Sequence, residues 1–198
     1  MSGWFGIARS AVTAPTRRRS DSLANRARIV AAARAVVTSD AELNLHGIAQ
    51  QAGVGQGTLY RHFPTREDLL AEVYHHEVDE LVAAAPLLLA AHAPAEALAQ
   101  WLDRVAKYAA VKRGVIAAVE AALWQDLTTK SLGPIGAALT ILLDAGKEAG
   151  TIRADVDAED VILLLAALTR IDRADYDARA QSLLAIIAGG LRQASTQR

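Results

Sequence analysis

Between Asn44 and Leu70 the apolar residues fall at helical spacings in three short stretches, separated by a glycine-bearing turn and by a proline. Ile48, Ala49 and Ala52 recur at one and three along the first stretch, and Asn44 stands just before it as an acceptor for the free amides of a helix starting at Leu45. Gly53 stops that helix, since glycine readily takes the left-handed conformation that follows a last helical turn. Val54 plugs the turn, and the second stretch runs from Gly55 or Gln56 to His62, with Leu59 and Phe63 four apart on the buried side. Gln56, Thr58, Tyr60, Arg61 and His62 are left facing outward. Pro64 prevents continuation, and Thr65 with Asp68 three residues later forms a capping box for a third stretch. Two short helices joined by a tight turn, the second polar on its outer face, predict a helix-turn-helix whose second helix fits the major groove of DNA.

Helical periodicity continues through the rest of the chain, and no segment alternates with period two. Leu23, Ala27, Val30, Ala33 and Val37 predict a first helix over 22–38. A fourth begins at Arg66 and runs toward Ala85, where Pro86 breaks or kinks it. Further helices are predicted from Ala95 to about Tyr108, onward to about Trp124, from Pro134 to Glu148 with Gly150 as the stop, over 158–170, and over 175–193. The fold class is all-α, with about nine helices. Residues 1–21 read as a flexible basic arm, 22–66 as the helix-turn-helix domain and 67–198 as a second helical domain.

The last two predicted helices carry more apolar surface than their neighbours. Val161 to Leu168 is apolar all round, and Leu184, Ile187 and Leu191 make a stripe on the next helix, where Gly189 and Gly190 permit close approach. Such surfaces serve either as ordinary core or as a subunit seam. Two-fold symmetric DNA readers present paired recognition helices to half-sites about 34 Å or more apart, so a seam is the expected use. Val161, Leu164, Leu165 and Leu168 with Leu184, Ile187 and Leu191 are its candidate residues.

Charge sharpens this division. The formal net charge of −1 conceals nine Lys/Arg against three Asp/Glu over residues 1–66, a net of +6, and a net of −7 over the remainder. A basic first third on an acidic body is an electrostatic footprint of nucleic-acid binding confined to one end. The Arg17–Arg19 run in the arm either touches the DNA or stays solvated. The chain has no cysteine, which excludes disulfides, thiolate metal sites and thiol redox sensing. Its longest apolar run, the eight residues Val161 to Leu168, is far below the ~18 of a membrane span. The N-terminus lacks the pattern of a secretory signal, so a cytoplasmic protein without membrane partners is expected.

The ordered run AGVGQGTLYRHFPTREDLL resembles the N-terminal DNA-binding domain of the TetR family of transcriptional regulators, over roughly residues 22–70. Gly55 stands where that family often has Ser, and Arg66 where it usually has Lys. Residues from Pro94 through Leu132, in the pattern WLDRVAKYAAVKRG followed later by LLDAGKEAGTIRADVDAEDV, are more loosely similar to the C-terminal domain of the SbtR-like subgroup. The resemblance implies a homodimer of all-helical subunits, each with a DNA-reading head and a body that binds a small-molecule effector. It also implies that Asn44, His46, Gln56, Gly57, Thr58, Tyr60, Arg61, His62 and Arg66 meet a double-stranded operator. Chemistry divides the roles: Gln56 can bond adenine and Arg61 guanine in two places, Thr58 can touch a thymine methyl, and Tyr60, His62 and Arg66 suit phosphates.

A small-molecule pocket is expected between the middle helices. Trp101, Arg104, Val105 and Tyr108 lie along one predicted helix and Ile116, Glu120 and Trp124 along the next stretch, although buried aromatics equally make plain core. Catalytic readings find little support. Gly53, Gly55 and Gly57 follow a helix rather than a strand and lack the Lys-Ser/Thr ending of a phosphate loop. His75 and His76 point about 100° apart on a helix, so no metal site is expected. The reading from sequence is a ligand-responsive repressor with no cofactor and no enzymatic activity; a protein-binding module and a small-molecule enzyme are its rivals.

Overall fold

The computed structural model describes residues 14–39 and 41–193. Among these residues the chain forms eight α-helices: α1 (Ala14–Thr38), α2 (Leu45–Gln51), α3 (Gln56–His62), α4 (Arg66–Ala91), α5 (Pro94–Ala118), α6 (Ala121–Glu148), α7 (Ala158–Leu165) and α8 (Tyr176–Leu191). Short 3-10 turns at Ala166–Arg170 and Arg173–Asp175 join α7 to α8. The all-α expectation holds, with one long helix fewer than predicted.

That difference lies in the middle of the chain. The three helices expected between Ala95 and Glu148 are two, because α5 continues through Tyr108 to Ala118 and α6 runs unbroken from Ala121 to Glu148. The chain turns at Val119 and Glu120, both extended, rather than at Tyr108. Nothing in the sequence near Tyr108 is a strong helix breaker. Pro134 lies inside α6 and Pro86 inside α4, and both face solvent, where water can meet the carbonyl that each leaves unpaired. The expected end of the fourth helix at Ala85 therefore moves to Ala91.

The first helix is also longer than expected, starting at Ala14 and taking in Arg17–Arg19 of the proposed arm, whose residues 1–13 lie outside the described residues. Of the stripe predicted on it, Val30, Ala33 and Val37 are buried, while Leu23 and Ala27 are exposed.

Two packed regions share one continuous apolar core. In the first, Ile29 and Val30 of α1, Ile48 and Ala49 of α2, Leu59 of α3 and Phe63 close on Leu69 and Leu70 at the start of α4. In the second, α4 is the central helix and packs most extensively on α5 and α6. Trp101 is fully buried there, and its indole N–H donates to the Leu81 carbonyl at 2.9 Å, satisfying the one polar group its ring carries into the core.

Three contacts mount α1 on the body. Gly114 of α5 packs directly on the last turn of α1, where an added Cβ would stand 2.0 Å from the Val37 carbonyl oxygen. Arg34 pairs with Glu77, which is almost completely buried on α4, one guanidinium nitrogen donating to Oε2 at 3.0 Å. Arg26 donates to Glu72 at 3.1 Å and lies 4.5 Å from the centre of the Phe63 ring.

At the far end of the body a left-handed Gly150 turns the chain after α6, and Ile152 packs so closely on Gly146 that a Cβ there would lie 2.3 Å from its Cγ1. Ile152 and Arg192 form an isolated antiparallel bridge, in which the Arg153 N–H donates to the Leu191 carbonyl and the Gln193 N–H to the Thr151 carbonyl, each at 3.0 Å.

The helix expected over 158–170 to be buried on every side is shorter and one-sided. Only 158–165 is α-helical, and Val161, Leu165 and Leu168 face the core, whereas Leu163 is 67% and Leu164 56% exposed. α7 packs on α6 and α8, and Leu163 and Leu164 on its outer side face solvent.

Candidate nucleic-acid interface and effector region

The recognition helix is built to display its polar residues. Leu59 and Phe63 anchor α3 in the core, each about 1% exposed, which leaves Gln56, Gly57, Tyr60 and Arg61 in solvent and Thr58 and His62 at the edge. Asn44 caps α2 by accepting the His46 N–H at 2.9 Å. Gly53 takes φ +64 in the turn, and the Val54 N–H closes back on the Ala49 carbonyl at 3.0 Å. Gly55 caps α3 without a side-chain bond, so the first amides of α3 remain available to an acceptor from outside. Thr65 and Asp68 form the reciprocal capping box of α4, with bonds of 3.0 and 3.1 Å, and this fixes exposed Arg66 in the first turn.

All nine residues named from the sequence for DNA contact thus belong to one contiguous unit of α2, α3 and the start of α4. His46 and Gln56 touch through their side chains, which joins the exposed end of α2 to the first residue of α3. Arg26 supports the same unit from behind, its guanidinium between Phe63 and Glu72 and within 3.5 Å of the His62 carbonyl. Sequence reasoning counted Arg26 and Arg34 only as positive charge. Their acidic partners lie 46 and 43 residues away, a separation that no local pattern reports.

The seven residues proposed to line a pocket divide by helix face. Trp101, Val105 and Tyr108 are buried, Arg104 points outward, Ile116 is partly exposed, Glu120 precedes α6 in solvent, and Trp124 is half-buried. Tyr108 and Trp124 meet in a cluster whose other members the sequence did not single out. The Tyr74 hydroxyl lies 2.9 Å from that of Tyr108 and 2.7 Å from the Ser131 hydroxyl, while the Trp124 ring packs edge-on at 5.4 Å from Tyr74. The Lys112 ammonium lies 5.8 Å from the Tyr108 ring centre and 5.3 Å from that of Trp124. Burial raises the Tyr108 pKa and lowers that of Lys112. A four-residue spacing from Tyr108 was the available signal for Lys112, since it puts both on one face of α5.

An open volume lies elsewhere. A cleft of about 920 Å³ separates α1 from α5 and α8, with Ala31, Ala35, Ala106, Ala110 and Ala180 on its walls. A second, of about 430 Å³, continues past Arg34 and Lys107 to Glu77 and Tyr108. Small residues on facing helices leave the first of these gaps, beside the apolar core that the two regions share.

The seven residues proposed for a subunit seam also divide. Val161, Leu165, Leu168, Leu184 and Leu191 face the protomer's own core, Ile187 is half-buried, and Leu164 faces solvent. The exposed apolar residues on the same elements are Leu163, Leu164 and Ile186, the last 67% exposed. Periodicity identified this stripe as apolar without naming what covers it. Among the described residues no group of three or more His, Asp or Glu could hold a metal ion, and no helix is long and apolar enough to cross a membrane.

Comparison with known proteins agrees with this architecture at both ends of the chain. Residues 29–73 match the pattern of bacterial regulatory proteins of the tetR family, and residues 93–193 that of the SbtR-like transcriptional regulator C-terminal domain. A TetR transcriptional regulator from Streptomyces coelicolor is 39% identical, with a TM-score of 0.76 over 86% of this chain and 99% of its own. One from Mycobacterium vanbaalenii is 34% identical, with a TM-score of 0.71 over 88% and 99%. Salmonella enterica GusR, at 20% identity and a TM-score of 0.62 over 92% and 99%, shares the fold. No curated protein matches. Members of this family regulate transcription by binding DNA and are not enzymes. With the reading helix on α3, the capped α4 behind it and a matching C-terminal half, the chain belongs to the TetR family of transcriptional regulators.

Proposed function

We propose that this protein is a cytoplasmic repressor that binds a palindromic operator as a dimer and is released by a small molecule. The observation that carries the reading is the outward face of α3, with Gln56, Tyr60 and Arg61 exposed on a helix fixed by buried Leu59 and Phe63. In this reading Gln56 and Arg61 read bases and Thr58 meets a thymine methyl. Tyr60, His62 and Arg66 bind phosphates, with Asn44, His46 and Gly57 at the same surface. The basic charge of the first third supports it. The seam between subunits is assigned to Leu163, Leu164 and Ile186, whose exposure on adjoining elements a twin subunit would relieve.

The effector is assigned to the aromatic and polar cluster of α4, α5 and α6, through Tyr108 and Trp124, with Trp101 and Val105 as its inner wall and Ile116 at its edge. Arg104 and Glu120 stand outside that wall. A ligand there acts by favouring one position of α5 over another. Gly114 transmits the choice to Val37 and so to the head. Selection of binding sites from random DNA tests the first half of this proposal. Inverted repeats are the expected product; recovery of unpaired sites, or of none at low salt, would overturn it.

A further inference from the structure

Among the described residues Lys112 is a cation without an ion-pair partner. It projects from α5 into the cluster with its ammonium between the Tyr108 and Trp124 rings, and none of the ion pairs among the described residues includes it. The groups grouped with it are neutral: two aromatic faces and the linked hydroxyls of Tyr74, Tyr108 and Ser131. Aromatic faces return only part of the hydration that a half-buried ammonium gives up. Burial accordingly disfavours its charged form, with no opposing contribution from a carboxylate. The side chain is not sealed in, since Lys112 and Trp124 are each partly exposed and Ile116, one turn further along α5, is exposed beside them. The mouth of the cluster therefore offers a positive charge beside the Trp124 ring, with Ile116 one turn along α5 and Leu123 next to Trp124 in sequence as further partly exposed apolar side chains.

We infer that the effector is an organic anion, a carboxylic acid with an aromatic or aliphatic body, whose carboxylate pairs with Lys112 while its body rests on Ile116, Leu123 and Trp124. This rests on the effector reading above and names the chemistry of that same site. A neutral molecule of the same shape would gain the apolar contact and leave the ammonium unpaired. A carboxylate would supply the missing partner in a partly dry setting, where a charge-assisted bond is about twice as strong as a neutral one.

The test uses the full chain and a panel of aryl and alkyl carboxylates, with naphthalene-2-carboxylate and octanoate as its first members, each beside its primary amide. Binding is followed by thermal shift and by quenching of tryptophan fluorescence. Acids are expected to bind and amides to bind at least about tenfold more weakly. Lys112→Met should remove that preference by lowering acid affinity about tenfold or more, and Lys112→Arg should largely restore it. Equal binding of acid and amide, unchanged acid affinity in Lys112→Met, or no acid binding at millimolar concentration would each overturn the inference. Operator release, measured separately, distinguishes it from the reading it rests on. Acids that bind through Lys112 without releasing DNA would sustain the anion site and defeat the effector role, whereas amides that bind and release DNA would do the reverse.

Discussion

Val37 and Gly114 meet at the junction of head and body so closely that only glycine fits on α5: an added Cβ would stand 2.0 Å from the Val37 carbonyl oxygen and 2.9 Å from its carbon. The obstacle is backbone at the end of a helix, which cannot turn aside as a flexible side chain would. Gly114→Ala should therefore displace α1, destabilise the fold by about 1–3 kcal/mol and weaken operator binding. Urea melts and gel shifts check both effects. Gly136→Ala, whose nearest neighbour would be Ile162 Cδ1 at 3.6 Å, is the control expected to leave binding unchanged. A Gly114→Ala protein as stable and as tight-binding as the parent would show that this contact transmits nothing.

Gly57 presents the opposite case. A Cβ there meets nothing within 4 Å, so Gly57→Ala should stabilise α3 by about 0.5–1 kcal/mol through helix propensity. The same methyl would stand on the face assigned to DNA. Higher stability with weaker operator binding is the expected pair of results, and unchanged binding would remove Gly57 from the interface.

Arg61 and Arg66 are both exposed, yet they are expected to fail differently. Arg61→Ala should relax preference at one base pair, costing about 1–3 kcal/mol on the best operator and little on others. Arg66→Ala should weaken all sequences alike and reduce the salt slope by about one. Competition against operator variants at several salt concentrations separates the two. A uniform loss for Arg61→Ala would move that residue to the phosphate group.

Glu77 ties stability to pH. Its pKa is raised above 4.5, chiefly by burial, with Arg34 beside it pulling the other way. A carboxyl raised in the folded state binds more protons there than in the unfolded chain. Its contribution is thus fully present below 4.5 and declines as pH rises through the folded value. Wild type should gain stability relative to Glu77→Gln as pH is lowered from neutral toward 4.5, and the difference should level off below that. Paired melts across this range give the answer; a difference that widens with rising pH would reverse the sign.

Leu164→Asp, alone or with Ile186→Asp, should give a folded monomer that loses affinity for an inverted repeat. Leu164 is 56% and Ile186 67% exposed, so the charges enter no core. Sedimentation at micromolar concentration would show the change, and a persisting dimer would place the seam elsewhere. Val161→Asp should instead unfold the protomer, since that residue is 1% exposed.

Local physics made the reading head legible. Asn44, Gly53, Pro64 and the Thr65–Asp68 pair each fix a boundary within a few residues, and α2, α3 and the start of α4 fall where those residues predict. The body was harder to read because its signals depend on partners. Pro134 marks a helix start in isolation, but on the solvent side of a long helix whose other face is buried it is tolerated within it. Lys112, Tyr74 and Ser131 come together from three helices, and only Lys112 and Tyr108 share a local spacing. Val161 and Leu164 look alike in sequence and differ in exposure because the protomer's own helices bury one side of α7 and leave Leu163 and Leu164 in solvent.

The pairing of Arg34 with Glu77 bears on how such proteins can be recombined. A chimaera joined at Arg66, where the sequence places the end of the reading unit, would carry Arg34 and Arg26 away from Glu77 and Glu72 and would set Val37 against a foreign α5. The transplantable cassette therefore extends at least through Glu77, and its recipient needs a glycine opposite Val37.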